Sequence, residues 1–300
     1  MSEGMNQRLN QSLRATVLGV VINSLLAAGK ITAGVVGHSQ ALIADGIESL
    51  ADIVSSLIIW RALVVAAAPE DDDHPYGHGK AEAIATGIVA ILLVVAAVWI
   101  AAESIHHILI PHQVPAPYTL VVLILVIGIK ELLFRRVLRT GQELESSVVK
   151  GDAWHHRSDA ITSLAAAIGI VIALVGGPGY AWADDVAALL ASAIIAWNGL
   201  RLGRPAMDEL MDARGPEDFH RQISDLAASV PDVAYVQKCV VRRHGYWFFV
   251  DLHVHVDPHM TVMSSHAVAH AVKERLRTEL PRIRDVLIHI EPSRAHSAAT

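Results

Sequence analysis

Six long apolar segments fill the first two thirds of the chain. They cover about residues 13–36, 40–66, 81–110, 117–138, 153–176 and 181–203. Crossing a bilayer as a helix takes roughly 20 mostly apolar residues, and each segment approaches or exceeds that length. Ionisable residues interrupt the second and fifth segments, which a membrane helix tolerates when its polar face points into a helix bundle. The pattern predicts six membrane-spanning helices.

The pattern of apolar and charged residues changes after Arg204 and Pro205. Residues 207–292 carry more charge and run through a helical pattern, two strand-like runs, a second helical pattern and a last strand. This order, αββαβ, predicts a cytoplasmic α+β domain with its helices packed on one face of a small sheet. We therefore expect an all-α six-span domain over 1–206, a second domain over 207–292 and a disordered tail over 293–300.

Basic residues in the connections predict the orientation. Arginine and lysine lie before the first span, around the second loop, in the fourth connection and after the sixth span, whereas the connections at 37–39, 111–117 and 176–182 contain none. Because basic residues favour the cytoplasmic side, both termini are predicted to be cytoplasmic. The polar start of the chain then leads into the first helix and is not a removable signal.

Composition agrees with a membrane protein. The chain is 53% hydrophobic and only 18% charged, against about 25% charged in a typical soluble domain. A net charge of −6 argues against a nucleic-acid-binding face. The single cysteine, Cys239, excludes an internal disulfide and a multi-cysteine zinc site.

Ionisable residues at membrane depth are candidates for function, because each costs a few kcal/mol to bury there. Glu48 and Asp52 lie four apart in the second segment, and His155 and Asp159 lie four apart in the fifth. This spacing puts each pair on one helix face. Three carboxylates and one imidazole suit Zn²⁺, although Fe²⁺, Mn²⁺, Co²⁺ or Cd²⁺ could also bind. Asp45 is a candidate relay group. The alternative is that these residues cap or snorkel at helix ends.

A second candidate metal site lies in the loop APEDDDHPYGHGK. Asp71, His74 and His78 supply one carboxylate and two imidazoles within a few residues, which is enough for a partial metal site. The alternative is a solvated turn rich in Pro, Gly and Asp.

Three sequence pieces are typical of one known family: SQALIADGIESLADI, DDDHPYGHGKAE and the HxxxD at 155–159. On these pieces the chain resembles the cation diffusion facilitator family, proton-coupled exporters of zinc and related divalent metals, from the first span to residue 292. The resemblance implies a homodimer, in the inner membrane if the host is bacterial. It implies efflux of metal ions by alternating access, with Zn²⁺ as the most expected substrate and metal ions also as regulatory ligands. No enzymatic activity, cofactor or nucleic-acid partner is expected.

The resemblance also assigns residues. It makes Glu48, Asp52, His155 and Asp159 the transport site, and Asp71, His74 and His78 the loop site of some members. It implies a metallochaperone-like, dimerising cytoplasmic domain with ligands at His253, His266, His289 and Glu291. Gln237 stands where some relatives have a histidine, so that site would be weaker or would recruit His255 or His270, which are otherwise expected at the surface.

Finally, the resemblance implies that Lys80 and Asp212 pair as a charge interlock where the membrane and cytoplasmic parts join; the alternative is two unrelated surface charges. A metal-sensing membrane scaffold that binds ions without moving them is the rival function. An intramembrane metallohydrolase would need a motif such as H-E-x-x-H, which the sequence lacks.

Overall fold

Eight α-helices and three strands make up the part of the chain described by the computed structural model, residues 21–110, 113–143, 147–215 and 217–293. The helices are α1 (Val21–Val36), α2 (Gln40–Ala66), α3 (Lys80–Leu109), α4 (Pro117–Glu143), α5 (Ser147–Gly176), α6 (Trp182–Leu210), α7 (Glu217–Ala228) and α8 (Val262–Glu279). The strands are β1 (Tyr235–His244), β2 (Trp247–Val256) and β3 (Ile283–Pro292). The predicted lead-in, the predicted start of the first span at residue 13 and all but the first residue of the predicted tail lie outside the described residues.

Helices α2 to α6 are each long and apolar enough to cross a membrane, and α1 is a shorter apolar helix in its described part. Their outer surfaces carry large apolar side chains, as on α3, where Ile91, Val95, Val98 and Trp99 form one exposed stripe. Such a stripe is favourable against lipid and unfavourable against water. The predicted helical membrane domain is thereby confirmed.

The described residues divide into two compact units. The first contains the chain up to Ile58 together with Ile88–Leu202, and the second contains Ile59–Gly87 together with the chain from Gly203 onward. In the first unit α2 belongs to two buried clusters. One joins it through Leu42 to α4 and α5, and the other joins it through Ala44 to α3 and α6. Residues of α2 are therefore well placed to meet side chains from several helices.

Two glycines let α1 and α2 approach closely. A Cβ at Gly34 would lie 2.7 Å from Ile43 Cγ1, and one at Gly46 would lie 2.7 Å from Ile31 Cγ1. Any larger residue at either position would push the helices apart. The close contact brings Lys30 of α1 beside Asp45 of α2, so local packing determines which charges meet.

The start of α2 is capped by a carboxylate from another helix. Asp184 of α6 is fully buried and accepts hydrogen bonds from Ser39 Oγ at 2.7 Å, from Gln40 N at 2.6 Å and from Ala41 N at 3.3 Å. Ser39 Oγ in turn accepts from Leu42 N at 3.2 Å. The free N–H groups of a helix start need acceptors, and here they tie α2 to α6.

The second unit contains the predicted αββαβ order. Strands β1 and β2 pair antiparallel and β2 and β3 pair parallel, giving the sheet order β1-β2-β3. Val250, Leu252, Val254 and Val256 of β2 alternate into a core shared with α7 and α8. Because side chains alternate along a strand, His253 and His255 point to the other face of the sheet.

Helix α6 continues past the predicted domain boundary. It ends at Leu210 and contains Pro205, four residues after Arg201. The predicted boundary at residue 206 rests on the change to a more charged sequence after that point. Proline removes only its own N–H donor, and helices can continue through it with a kink. The predicted boundary therefore lies inside a helix.

Candidate metal sites

The membrane cluster comprises Asp45, Glu48 and Asp52 of α2 and Asp159 of α5. The carboxylate of Glu48 interacts electrostatically with each of the carboxylates of Asp45, Asp52 and Asp159. Asp159 is mostly shielded, with 12% of its side chain exposed. Packing thus brings an acid of α5 into the electrostatic neighbourhood of the acids of α2.

Two lysines lie beside this cluster, and sequence reasoning missed both. Lys130 of α4 places Nζ 2.6 Å from Asp159 Oδ2. Lys30 of α1 is fully buried and places Nζ 2.6 Å from Asp45 Oδ2. Both interrupt apolar segments, so the rule applied to the acids, that charges at membrane depth are rarely accidental, would have singled them out.

Asp45 is held by neighbours on two other helices. Besides its ion pair with Lys30, its Oδ1 accepts a hydrogen bond from Ser163 Oγ of α5 at 2.8 Å. Lys30 also donates to Ser49 Oγ at 3.0 Å. A carboxylate so engaged links α1, α2 and α5 structurally, and the relay role of Asp45 stays a prediction.

The fourth predicted member of the transport site, His155, lies in α5, but its side chain is outside the part of the chain that the structure describes. Among the described residues, ligand atoms of Glu48, Asp52 and Asp159 do not form a group of three within 4.8 Å of one another. Mutual repulsion of the carboxylates and the Lys130 ion pair both favour such a separation.

The loop cluster, Asp71, His74 and His78, does bring its ligand atoms within 4.8 Å of one another. His74 Nδ1 lies 2.9 Å from Asp71 Oδ1, and His78 Nε2 lies 3.4 Å from Asp71 Oδ2. The hydrogen bond with His74 is the main reason that the pKa of the Asp71 carboxyl is below its usual value. One carboxylate and two imidazoles could hold a divalent ion.

The loop that carries this cluster packs within the second unit. The Arg284 guanidinium of β3 donates to Glu70 Oε1 from Nε at 3.1 Å and from Nη2 at 2.9 Å. The Tyr76 ring meets the Phe249 ring edge-on, with centroids 5.5 Å apart. These contacts fix the loop against β2 and β3, so a solvated turn without tertiary contacts does not describe it.

The cytoplasmic cluster lies on the sheet face away from α7 and α8. His253 pairs in register with His289, and His255 with Glu291. Glu291 Oε1 lies 2.6 Å from His253 Nδ1 and 3.7 Å from His289 Nε2. Those three residues bring their ligand atoms within 4.8 Å of one another. The hydrogen bond with His253 is the largest cause of the lowered pKa of the Glu291 carboxyl.

Two other histidine assignments from the sequence differ from the structure. His266 of α8 does not belong to this group; its ring meets that of His270, with centroids 4.5 Å apart. The expectation that His255 is a surface residue is wrong, because its side chain is only 7% exposed and its Nε2 lies 3.3 Å from Glu291 Oε2. The sheet separates α8 from the open face, which accounts for the position of His266. The Tyr235 ring stacks on the His255 ring with centroids 4.2 Å apart and helps to cover it.

Gln237 contacts this cluster through His255. It lies at the irregularity where β1 shifts register against β2, and its Oε1 is 3.0 Å from His255 Nε2. A neutral amide is a poorer metal ligand than an imidazole. His255 and Gln237 therefore form a hydrogen-bonded border beside His253, His289 and Glu291.

Lys80 and Asp212 meet within the second unit. The ammonium of Lys80 lies 3.1 Å from Asp212 Oδ1, and both side chains are about one third exposed. Nearby, Glu209 accepts a hydrogen bond from Gly245 N at 2.6 Å, which ties the end of α6 to the β1–β2 turn. The pair thus sits where the end of α6 meets the start of α3.

Two family models match the chain. The cation efflux transmembrane domain matches residues 16–211, and the cation efflux protein cytoplasmic domain matches residues 216–293. The chain belongs to the cation diffusion facilitator family, whose members transport metal ions and are not enzymes. It is a multi-pass integral membrane protein.

Several relatives match over most of their length. The manganese efflux system protein MneP of Bacillus subtilis is 30% identical over 96% of this chain and 98% of its own. The magnetosome protein MamB of a Magnetospira strain is 32% identical over 87% of this chain and 88% of its own. The cation-efflux pump FieF of Citrobacter koseri is 27% identical over 96% of this chain and 95% of its own. Metal ions are the transported substrates of this family.

Proposed function

We propose that this protein exports divalent transition-metal ions from the cytoplasm by proton-coupled antiport with alternating access. The observation that carries the proposal is the membrane cluster, in which Glu48 of α2 and Asp159 of α5 are close enough to interact electrostatically. Carboxylates at this depth are rare unless they bind an ion or a proton. Glu48, Asp52, Asp159 and His155 are the proposed ligands.

Zn²⁺ and Mn²⁺ are the proposed cargo ions to test first. A four-ligand site with one imidazole suits Zn²⁺, as the sequence analysis proposed. Three oxygen donors also suit harder ions such as Mn²⁺ and Fe²⁺, and the likeness to a manganese efflux protein supports Mn²⁺. Co²⁺ and Cd²⁺ complete the panel. The donor set alone does not separate these ions, so transport must be measured for each.

Proton coupling follows from the chemistry of the ligands. Carboxylates and imidazole bind metal only when deprotonated, so a metal ion and protons compete for the same side chains. In the inward-facing state an arriving ion displaces protons; in the outward-facing state, protons from an acidic compartment displace the ion. The helix bundle must rearrange around the site between these states.

We further propose a homodimer in the cell membrane, with both termini in the cytoplasm. The cytoplasmic domain match and the distribution of basic residues support these points. The loop and cytoplasmic clusters would then face the metal pool that the transporter empties. They are proposed as regulatory metal sites. The predicted Lys80–Asp212 interlock would fix the geometry where α6 ends.

The test is metal-driven proton flux in proteoliposomes, with Zn²⁺, Mn²⁺, Fe²⁺, Co²⁺ and Cd²⁺ in parallel. Asp52→Ala and Asp159→Ala should each abolish metal-dependent proton movement, because each removes a ligand that also carries a proton. Glu274→Ala, which removes an exposed carboxylate of α8, should leave the flux unchanged. Wild-type flux in both membrane variants would place the transport site elsewhere.

Metal uptake, measured in the same proteoliposomes, separates the transporter from a metal-sensing scaffold. A scaffold would bind metal to the loop or cytoplasmic clusters, and protein-containing vesicles would show no more metal uptake than empty ones. Uptake that depends on Asp52 and Asp159 excludes the scaffold.

A further inference from the structure

The ion pair between Lys130 and Asp159 uses a carboxylate that the proposed transport site also needs. Lys130 lies within the apolar part of α4, and only 3% of its side chain is exposed. Its Nζ is 2.6 Å from Asp159 Oδ2. The ammonium therefore lies where it reduces the negative charge available to an incoming cation.

Stability alone is a poor explanation for such a pair. Taking an ammonium and a carboxylate out of water costs about as much as their attraction returns, so buried pairs are weak stabilisers. The Lys30–Asp45 pair, one helical turn along α2 from Glu48, shows that the bundle already contains a buried linkage between helices. Lys130 differs because its partner is a proposed metal ligand.

The charges nearby match a divalent ion. When ionised, Asp45, Glu48, Asp52 and Asp159 carry four negative charges, and Lys30 and Lys130 carry two positive ones. The remaining two negative charges would be balanced by one dication. A bound dication and the Lys130 ammonium would repel each other strongly at such short range and low polarity. The flexible four-carbon stem of lysine allows the ammonium to move away from Asp159.

We propose that Lys130 is an internal competitor of the transported ion: its ammonium pairs with Asp159 in the empty site and is displaced when metal binds. This inference rests on the proposed function of the membrane cluster. Lys130 acts through Asp159 and is a positioning residue. By returning to Asp159 it lowers the affinity for metal and speeds release of the ion.

The test uses the full-length protein with Asp71→Asn and Glu291→Gln, which remove the carboxylate of each of the other two clusters. Zn²⁺ and Mn²⁺ binding is measured by calorimetry in detergent, and transport is measured in proteoliposomes. If the ion pair is formed nine tenths of the time, removing it should tighten Kd about tenfold. Lys130→Met should therefore tighten Kd and lower KM while turnover falls, because release slows.

Lys130→Arg keeps the charge and should restore values near those of the parent protein. Arg135→Gln is the matched control, since it removes an exposed cation from the same helix and should change neither Kd nor turnover. Lys130→Gln provides a second neutral variant should Lys130→Met fail to elute as a folded protein.

An unchanged or weaker Kd in a folded neutral variant would overturn the inference. A merely structural role predicts reduced thermal stability without the opposite movement of KM and turnover. Asp159→Ala in the same background separates the two claims. If Asp159→Ala loses metal binding and Lys130→Met has no effect, the proposed function stands and only the competitor role of Lys130 is excluded. Wild-type binding and transport in Asp159→Ala would remove both.

Discussion

Buried charges in the first unit meet across helices. Lys30 of α1 pairs with Asp45 of α2, and Lys130 of α4 pairs with Asp159 of α5. A buried pair contributes little net stability, but removal of one partner leaves an uncompensated charge at a cost of about 3–5 kcal/mol. Lys30→Met should therefore lower the free energy of unfolding of the bundle more than substitution of an exposed lysine would. Such pairs specify which helix faces meet.

At the β1–β2 turn, His244 makes a pH-dependent contribution to stability. Partial burial, and next the positive charge of Lys80, lower the pKa of its imidazole below the usual 6.5. The unfolded chain therefore binds this proton more readily than the folded one. Its contribution to the free energy of unfolding should be fully present above about pH 6.5 and should fall as the pH drops towards and through the folded-state pKa.

His244→Gln should reduce the loss of stability between pH 7.5 and more acidic conditions, measured by thermal unfolding of the detergent-solubilised protein at each pH. His259→Gln is the control, because His259 lies exposed in the turn after β2. An identical pH dependence of wild type and His244→Gln would contradict the assignment.

The acids of the membrane cluster could be predicted from the sequence because they share a helical spacing within apolar segments. Their pairing with lysines could not, because Lys30 and Lys130 lie on two other helices and only packing determines their partners. The loop ligands are close in the sequence, which made that cluster predictable. Carrying ligand positions over from the family residue by residue did not work for His266, since the sheet separates α8 from the cluster on the open face.

At the scale of elements, α2 depends on Asp184 of α6 for its N-terminal cap. Asp184→Ala removes the acceptor of three hydrogen bonds, so we expect a loss of about 1–3 kcal/mol in the free energy of unfolding. Ser39→Ala keeps that carboxylate and should cost less, about 1 kcal/mol. Thermal unfolding of the two purified variants gives the order, and an Asp184→Ala protein as stable as wild type would disprove the capping role.

The existence and type of each helix and strand were predicted better than the residues at which it begins and ends. Long apolar runs located the starts of α2, α3, α4 and α6 within one residue, because lipid requires a long helix wherever the chain crosses. The start of α5 was missed by six residues, since polar residues precede its apolar part. The end of α6 was missed because the apolar run stops near residue 203, while the helix continues to Leu210 through a more polar segment. The αββαβ order was readable from the alternation of strands and helices, but the bulge at Gln237 depends on strand pairing that no local pattern encodes.

The Lys80–Asp212 pair joins the start of α3 to the end of α6. Asp212 has a φ of 51°, a left-handed conformation that asparagine also tolerates. A cycle of Lys80→Gln, Asp212→Asn and the double variant therefore avoids the strain that a lysine at position 212 would add. We expect a coupling of about 0–1 kcal/mol in thermal unfolding, as for other exposed pairs.

If the Lys80–Asp212 pair fixes the geometry at the end of α6, its removal should lower the transport rate more strongly than it lowers stability. Both single variants should then lower the transport rate, and the double variant should be no worse than either. Fully additive losses of transport would show that Lys80 and Asp212 act independently.

For the whole molecule, the placement of basic residues determines the expected orientation. Arginine and lysine border the second, fourth and sixth helix ends, and the connections at 37–39, 111–117 and 176–182 have none. Keeping basic residues on the cytoplasmic side is favoured during insertion. The loop cluster and the cytoplasmic cluster would then face the same compartment, which is a condition for both to sense one metal pool.

The orientation can be tested with single cysteines, because Cys239 is the only one to remove. In a Cys239→Ser background, Gln113→Cys lies in the α3–α4 connection and Asp72→Cys lies in the α2–α3 loop; both positions are exposed. A membrane-impermeant maleimide should label Gln113→Cys on intact cells and Asp72→Cys only after lysis. The reverse pattern would put the loop cluster outside the cell, and a regulatory role in sensing cytoplasmic metal would be untenable.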